Sequence, residues 1–376
     1  MKRAVEQNPQ HASGGLRLLT APNQRSLFQR WLSEIPIFMT SLALFFLCVG
    51  LLKSKGIRLP FDTVSHNASL FFAFFLFGVL GAIPFQLIRH RPESPFQYLK
   101  ARYWNKQIAK AFAGGLPLLL IAIAIIPFFS EMKAAIPLFT TYSWDSTFIK
   151  WDQTLFFGYD PWTVLQPALG FPIITAFLAL LYHLWLLLLY PGVLVFAFAN
   201  VDNNLRNQFF LSYVLSWSLI GGLMATLLAS VGPCFVGPLL DNPHFDAQIA
   251  YLEIANDEIP VMTLRVQEML LERFTSNEAG LGSGITAMPS MHCAIAFLYW
   301  IAVRKVSSRL GCFFGVFSIV IWISSVHLAY HYAIDGLVSL FAVAVIWKLS
   351  GSMLLIWNRW TKARYSTFRA NTTPAE

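Results

Sequence analysis

Long apolar segments with almost no charge dominate this sequence and restrict it to folds that lie in a membrane. Of its 376 residues, 56% are hydrophobic and 12% are charged, whereas a soluble domain carries about 25% charged residues. A helix that spans a bilayer needs about 20 mainly apolar residues. The sequence therefore predicts an all-α integral membrane protein with about eight transmembrane helices, of which the sixth and seventh are short. The predicted spans are 36–53, 67–88, 112–130, 172–199, 209–231, 289–303, 312–329 and 333–357.

Lysine and arginine are distributed unevenly between alternate loops, and this bias sets the expected orientation. They concentrate in both terminal segments, in residues 89–111 and around 304–309, whereas many acidic residues lie between 241 and 278. Short basic loops stay on the cytoplasmic side, so both termini are predicted to be cytoplasmic. The first 35 residues lack an apolar core, so we expect the first span to act as an uncleaved anchor. The net charge of +8 is mainly a topology signal, and its dispersed basic residues argue against nucleic-acid binding.

Two histidines and an aspartate fall on the predicted non-cytoplasmic face, although they come from separate segments. His292, within TAMPSMHCAIA, begins the sixth span, and the seventh span leaves on the same face with SSVHLAYHYAIDG, which contains His331 and Asp335. Residues four apart share one face of a helix, so Asp335 can hold one ring nitrogen of His331 and leave the other free as a nucleophile. His292 can then protonate a leaving oxygen as general acid. This set predicts phosphoryl transfer through a phosphohistidine.

A glycine-rich stretch directly before His292 provides a candidate site for the phosphate. GLGSGITAMPS places Ser283, Gly284 and Ser290 just ahead of a predicted helix. The N-terminus of a helix offers free backbone N–H groups and the positive end of its dipole to an anion. We therefore predict that these three residues bind the substrate phosphate.

The motifs PSMH (289–292) and HYAID (331–335) together resemble the second and third signature motifs of the type 2 phosphatidic acid phosphatase (PAP2) superfamily, which includes the inositol phosphorylceramide synthases. Its members are lipid phosphatases and phosphotransferases with a six-helix membrane core. The resemblance implies four regions in this chain: a cytoplasmic N-terminal tail (1–35), two additional spans with a basic cytoplasmic loop (36–111), a catalytic membrane domain (112–357) and a cytoplasmic tail (358–376).

The same resemblance implies a role for each motif residue. His331 corresponds to the nucleophile and Asp335 to the residue that orients it. His292 corresponds to the histidine that serves the leaving group, and Ser290 to a serine that contacts the phosphate.

Three further stretches resemble the branch with the inositol phosphorylceramide synthases, namely 130–137, 151–166 and 230–235. The chain also departs from the phosphatase members. No arginine-proline pair follows Lys133 at the usual spacing, and Ser324 is followed by a serine where those members have arginine. With fewer cations for the phosphate, Lys133 becomes a candidate ligand, and a phosphotransferase is favoured over a phosphatase.

Alternative interpretations start from the same histidines. His327, His331 and Asp335 at four-residue steps could bind a metal, but this leaves PSMH unexplained. A proton-coupled transporter would instead place such groups at the bilayer midplane. We expect His327 and His183 to be structural and Asp152 and Asp160 to belong to loop structure.

The expected partners are membrane lipid substrates and the bilayer itself, without a metal or an organic cofactor. We expect a bacterial inner-membrane protein whose active site faces the non-cytoplasmic side. Residues 261–274 mix apolar and charged positions as an interfacial helix does, and are predicted to cover that site as a lid.

Overall fold

Helices account for the secondary structure wherever the chain is described. The computed structural model describes residues 26–199, 201–276, 278 and 280–372, with side chains described as far as 362. The predicted tails therefore lie partly outside the described residues, at 1–25 and 373–376. The helices are α1 (Leu27–Ser54), α2 (Phe61–His90), α3 (Pro95–Tyr103), α4 (Lys106–Ala134), α5 (Asp145–Leu155), α6 (Pro161–Leu169), α7 (Pro172–Phe198), α8 (Asn203–Leu227), α9 (Pro233–Leu240), α10 (Asp246–Glu258), α11 (Met262–Thr275), α12 (Met291–Val303), α13 (Ser308–His327) and α14 (Ala333–Thr372).

Seven of these helices are long and apolar enough to cross a membrane: α1, α2, α4, α7, α8, α13 and α14. The prediction of an all-α membrane protein is therefore confirmed. The sixth predicted span differs, because α12 has only 13 residues and rises about 20 Å at 1.5 Å per residue. Ser290 caps its first turn and Arg304 ends it, so the helix starts two residues later than the predicted span at 289 and ends at 303 as predicted.

Opposite ends of the helix bundle have different chemistry. At one end, which we call the basic end, a buried Glu34 of α1 accepts from Arg206 of α8, and this contact joins the two helices. Glu34 is also paired with Arg30 of its own helix. Trp357 of α14 donates to the Leu32 carbonyl at the same level. At the other end, the site end, lie the turn 328–332 and the segment 228–290 that includes α9, α10 and α11.

Two external helices hold the turn that follows α13. Gln248 of α10 donates to the carbonyl of Val326, at 2.8 Å, and Gln267 of α11 donates to that of Leu328, also at 2.8 Å. The last carbonyls of a helix have no partner within it, so these amides satisfy groups that would otherwise be buried unpaired. The helix predicted at 261–274 is observed as α11, and it is attached to the turn that leads into His331.

Candidate active site

His331 and Asp335 form the buried pair that their spacing predicts. The Nδ1 atom of His331 lies 3.0 Å from Oδ2 of Asp335, which also accepts from the Tyr332 backbone N–H. His331 lies in the turn before α14, and burial, followed by the nearby Lys133 charge, lowers its pKa to about 3, although the Ala287 backbone acts in the opposite direction. The imidazole is therefore neutral at physiological pH. With Nδ1–H directed to Asp335, its Nε2 carries the lone pair that a nucleophile needs.

His292 faces His331 from the first turn of α12. The two ring centres are 6.4 Å apart, close enough for both side chains to contact a single phosphoryl group. Tyr182 stacks on His292 at 4.4 Å and Trp185 lies against it at 4.3 Å. These two rings from α7 fix the imidazole plane and form an apolar wall beside the site.

The glycine-rich loop packs directly onto the end of α4. Gly284 has φ +86, and a Cβ there would come within 2.7 Å of the Lys133 carbonyl carbon and 2.6 Å of the Ala134 nitrogen. Only glycine therefore allows this approach. The charge of Lys133 is close enough to act on both His292 and His331. The structure thus brings three of the predicted residues, Lys133, Gly284 and His331, to one place.

Two serines in the same region have different environments. Ser283 is fully buried, and its hydroxyl has no hydrogen-bond partner in the described part of the chain. The Ser290 hydroxyl accepts from the Cys293 backbone N–H at 3.4 Å as the cap of α12, while its carbonyl accepts from Ser339 at 2.9 Å. Ser290 therefore fixes the start of α12 and with it the position of His292.

Asp152 supports the site from α5, although the sequence suggested loop structure for it. Its two carboxylate oxygens accept from the backbone N–H groups of Ala333 and Ile334, at 2.7 and 2.8 Å. Burial raises the pKa of Asp152 to about 7, and these two donors act in the opposite direction. The carboxylate thus caps α14 at the first turn, which contains Asp335. Asp160 has no such link, since it bonds Gln153 and His244.

Asp145 ties a second segment to the turn that carries His331. It accepts from the backbone N–H groups of Val231 and Gly232, both at 3.0 Å, and from the Tyr332 hydroxyl at 2.7 Å. Gly232 has φ +91, and a Cβ there would lie 2.8 Å from the Tyr330 carbonyl oxygen. This arrangement anchors the 230–235 stretch directly against the turn.

Arg273 of α11 is a further cation that sequence reasoning missed. A Cβ built on Gly280 would lie 3.5 Å from Arg273 Nη1 and also 3.5 Å from Ser283 Oγ. The guanidinium and the unpaired hydroxyl therefore flank the same point on the glycine-rich loop. No local motif marks Arg273, because it lies on an external helix outside the signature stretches.

The residues of the metal alternative separate into different contacts. His327 Nε2 lies 2.9 Å from the Thr175 hydroxyl, whereas His331 bonds Asp335. No group of three histidine, cysteine or acidic side chains suited to a metal ion occurs among the described residues. His183 Nδ1 bonds the carbonyl of Ala179 in its own helix, at 2.8 Å. The structural role expected for His327 and His183 stays a prediction.

The His331–Asp335 pair, His292 and the 230–235 stretch all lie in a segment that matches a known family. The model of the PAP2 superfamily matches residues 146–349, which is more than half of the chain. The chain belongs to the PAP2 superfamily. No curated protein and no solved structure matches it.

Membership of the PAP2 superfamily confirms the family that the two motifs indicated, and with it an enzyme of the phosphatase and phosphotransferase type. The likeness to the inositol phosphorylceramide synthases is a finer statement that stays a prediction. The matched segment begins in α5, later than the expected domain start at 112. Helices α1, α2 and α4, and with them Lys133, therefore lie outside the matched PAP2 segment.

Proposed function

We propose that this PAP2 protein is a lipid phosphotransferase that moves a phosphate or phospho-headgroup between lipids through a phosphohistidine at His331. The observation that carries the proposal is the His331–Asp335 pair at 3.0 Å with His292 facing it at 6.4 Å. A nucleophile, its orienting carboxylate and a second proton-transfer group are the parts that such a double displacement needs.

The proposed reaction proceeds in two balanced steps. Nε2 of His331 attacks phosphorus and the bond from phosphorus to the leaving oxygen breaks. The imidazolium of His292, protonated beside the bound anionic phosphate, gives its proton to that oxygen and becomes neutral. An acceptor hydroxyl then attacks the phosphohistidine and gives its proton to His292, and the phosphorus–nitrogen bond breaks. Asp335 keeps the imidazole of His331 oriented in both steps. Lys133, Ser283, Gly284 and Ser290 are proposed to bind the phosphate oxygens.

Transfer to a lipid alcohol is favoured over hydrolysis by the enclosure of the site. His331 is buried, Tyr182 and Trp185 line one side of His292, and α11 is attached to the adjacent turn. Exclusion of water suppresses hydrolysis of a reactive intermediate. Hydrolysis by the same residues is the second candidate, and the products separate the two: a new lipid phosphate in one case and inorganic phosphate in the other.

The orientation in the membrane is part of the proposal. The loops rich in lysine and arginine connect helices at the basic end of the bundle, opposite the histidines. By the positive-inside rule, this distribution supports an active site on the non-cytoplasmic face. The inner membrane of a bacterium is the compartment that we propose.

The experiment that tests the proposed roles compares two leaving groups. General acid catalysis contributes about 10²–10⁴-fold, so His292→Ala should lose about that much on a lipid phosphate and far less on p-nitrophenyl phosphate, whose leaving group needs no proton. His331→Ala should be inactive on both substrates and should form no trapped phosphoenzyme. His327→Gln, a buried histidine that contacts Thr175 instead, is the matched control and should still form the phosphoenzyme. Equal losses of His292→Ala on both substrates would contradict its role as general acid.

A further inference from the structure

An apolar cavity of about 410 Å³ lies between α1, α4 and α8 in the membrane-spanning part and opens to the outer surface of the bundle, where Leu42, Leu47 and Leu120 are exposed. Its volume falls within the range of about 300–1,000 Å³ that is typical of small-ligand sites. The side chains around it are almost all hydrocarbon. They include Phe38 and Leu51 of α1, Ala124 and Met132 of α4, and Trp217 with Gly222 of α8.

Polar and apolar contacts hold α1 in place above and below this cavity. At the basic end, Asn207 of α8 donates to the Ser33 carbonyl and hydroxyl, next to the buried Glu34 and Arg206 pair. At the site end, Leu52 of α1 is fully buried in a cluster with Phe128 and Ala135. The gap between α1 and its neighbours is therefore held open from both ends. From Phe38 to Leu51 it extends about 20 Å at 1.5 Å per residue, somewhat more than one leaflet of a hydrocarbon core about 30 Å thick.

The site end of the cavity is adjacent to the proposed catalytic residues. Met132, which lines it, directly precedes Lys133. Phe129, which also lines it, packs on Trp217 at 4.7 Å. A Cβ at Gly221 would meet the Phe129 ring at 2.4 Å and the Met291 sulfur at 3.0 Å, and Met291 directly precedes His292. The wall of the cavity and the wall of the site are thus formed by neighbouring residues.

A π-helical stretch of α8, Ser216–Met224, forms the third wall. Such wide turns within α-helices occur frequently at functional sites. They place Gly221 against Phe129 and Met291, while a Cβ at Gly222 would meet only the Trp217 carbonyl oxygen, at 4.0 Å. Gly222 consequently leaves space in the cavity instead of filling a contact.

We propose that this cavity binds one acyl chain of the donor lipid whose phosphate lies between His292 and His331. The proposal rests on the proposed function and adds the part of the substrate that the catalytic residues do not touch. The apolar lining of the cavity disfavours a polar ligand, and the length of the cavity suits an acyl chain of one leaflet. The site end of the cavity adjoins Lys133. The proposal also gives α1, which lies outside the matched PAP2 segment, a role in substrate selection.

Two glycine substitutions provide a matched test. Gly222→Leu fills the cavity without a backbone clash, and Gly78→Leu adds the same side chain to an exposed position of α2, where a Cβ meets nothing within 4 Å. The measurement is the ratio of kcat/KM for dipalmitoyl over dihexanoyl phosphatidic acid. Gly222→Leu should lower this ratio about tenfold, the loss expected when roughly two methylene groups leave an apolar contact, and Gly78→Leu should retain the ratio of the unmodified protein.

The outcomes separate the cavity from the reaction. If the unmodified protein converts neither lipid, the proposed function fails. If it converts both and Gly222→Leu keeps the same ratio, the cavity proposal is overturned while the function stands. A measurement on the unmodified chain keeps the test valid if Gly222→Leu does not fold. Phosphatidic acid with a mid-chain diazirine should label residues 38–51 and 120–132, and excess dipalmitoyl phosphatidic acid should suppress this labelling. Equal labelling of 61–90 would show bulk lipid contact only and would overturn the proposal.

Discussion

Asp152 caps α14 and does not contact the proposed substrate. From its hydrogen bonds we predict how strongly its loss affects stability and catalysis. Asp152→Ala removes both acceptors from the N–H groups of Ala333 and Ile334, which lie at 2.7 and 2.8 Å. A buried polar group left unpaired costs about 1–3 kcal/mol, so the free energy of unfolding should fall by about 2–6 kcal/mol. Asp152→Asn keeps one acceptor and should lose about half as much.

The catalytic consequence follows from the position of Asp335, which lies in the first turn that Asp152 holds. A displacement of about 1 Å in a catalytic group costs up to about 10²-fold in rate. We expect kcat on a lipid phosphate to fall by about that factor in Asp152→Ala while KM changes little, because Asp152 positions Asp335 and does not contact the substrate. Thermal unfolding in detergent and steady-state kinetics on the same preparation provide both numbers.

The matched control for Asp152 is Asp160→Ala. Asp160 contacts Gln153 and His244 near the end of α5 and makes no bond to α14. Its substitution should leave kcat within about twofold, in the range of changes away from named structural features. The reasoning is refuted if both alanine variants lose kcat equally, or if Asp152→Ala unfolds more easily but keeps full kcat.

Three further outcomes follow from the site. Arg273→Gln should lower kcat/KM for an anionic lipid about 10–100-fold, which is the contribution of a hydrogen bond to a charged group. The control is Arg265→Gln, at an exposed position of the same helix, which should change kcat/KM less than about twofold. Equal effects of the two substitutions would remove Arg273 from the phosphate site. Burial lowers the pKa of His331 to about 3 from an ordinary value of about 6.5. Below pH 6.5, the unfolded chain therefore binds a proton at this histidine that the folded protein does not bind. Between pH 7 and 5 the unmodified protein should therefore lose up to about 2 kcal/mol more stability than His331→Gln, and parallel unfolding curves would contradict this. Membrane-impermeant labelling of cysteines placed at Ala250 and Ser94, in a chain whose own four cysteines are replaced by serine, should modify the two from opposite sides; modification of both from one side would exclude the proposed orientation.

The sequence by itself determined the membrane class and the His331–Asp335 contact, because both depend on local periodicity. An apolar run about 20 residues long has few alternatives to a spanning helix, and a four-residue step brings His331 and Asp335 to one face. The signature PSMH also indicated the family that the PAP2 match confirms. Even here, the start of α12 was placed two residues too early, since a cap at Ser290 does not show in hydropathy.

Only the tertiary structure decided which residues support the pair and what lies next to it. Asp152 meets Ala333 across 181 positions and Asp145 meets Tyr332 across 187, and no local pattern encodes contacts over such distances. Arg273 reaches the glycine-rich loop because α11 folds back over it. A carboxylate or guanidinium in a loop has the same sequence signature whether it is solvated or buried against a helix end. The packing of distant segments creates that difference, since it removes water and leaves the protein's own N–H and hydroxyl groups as the partners that remain.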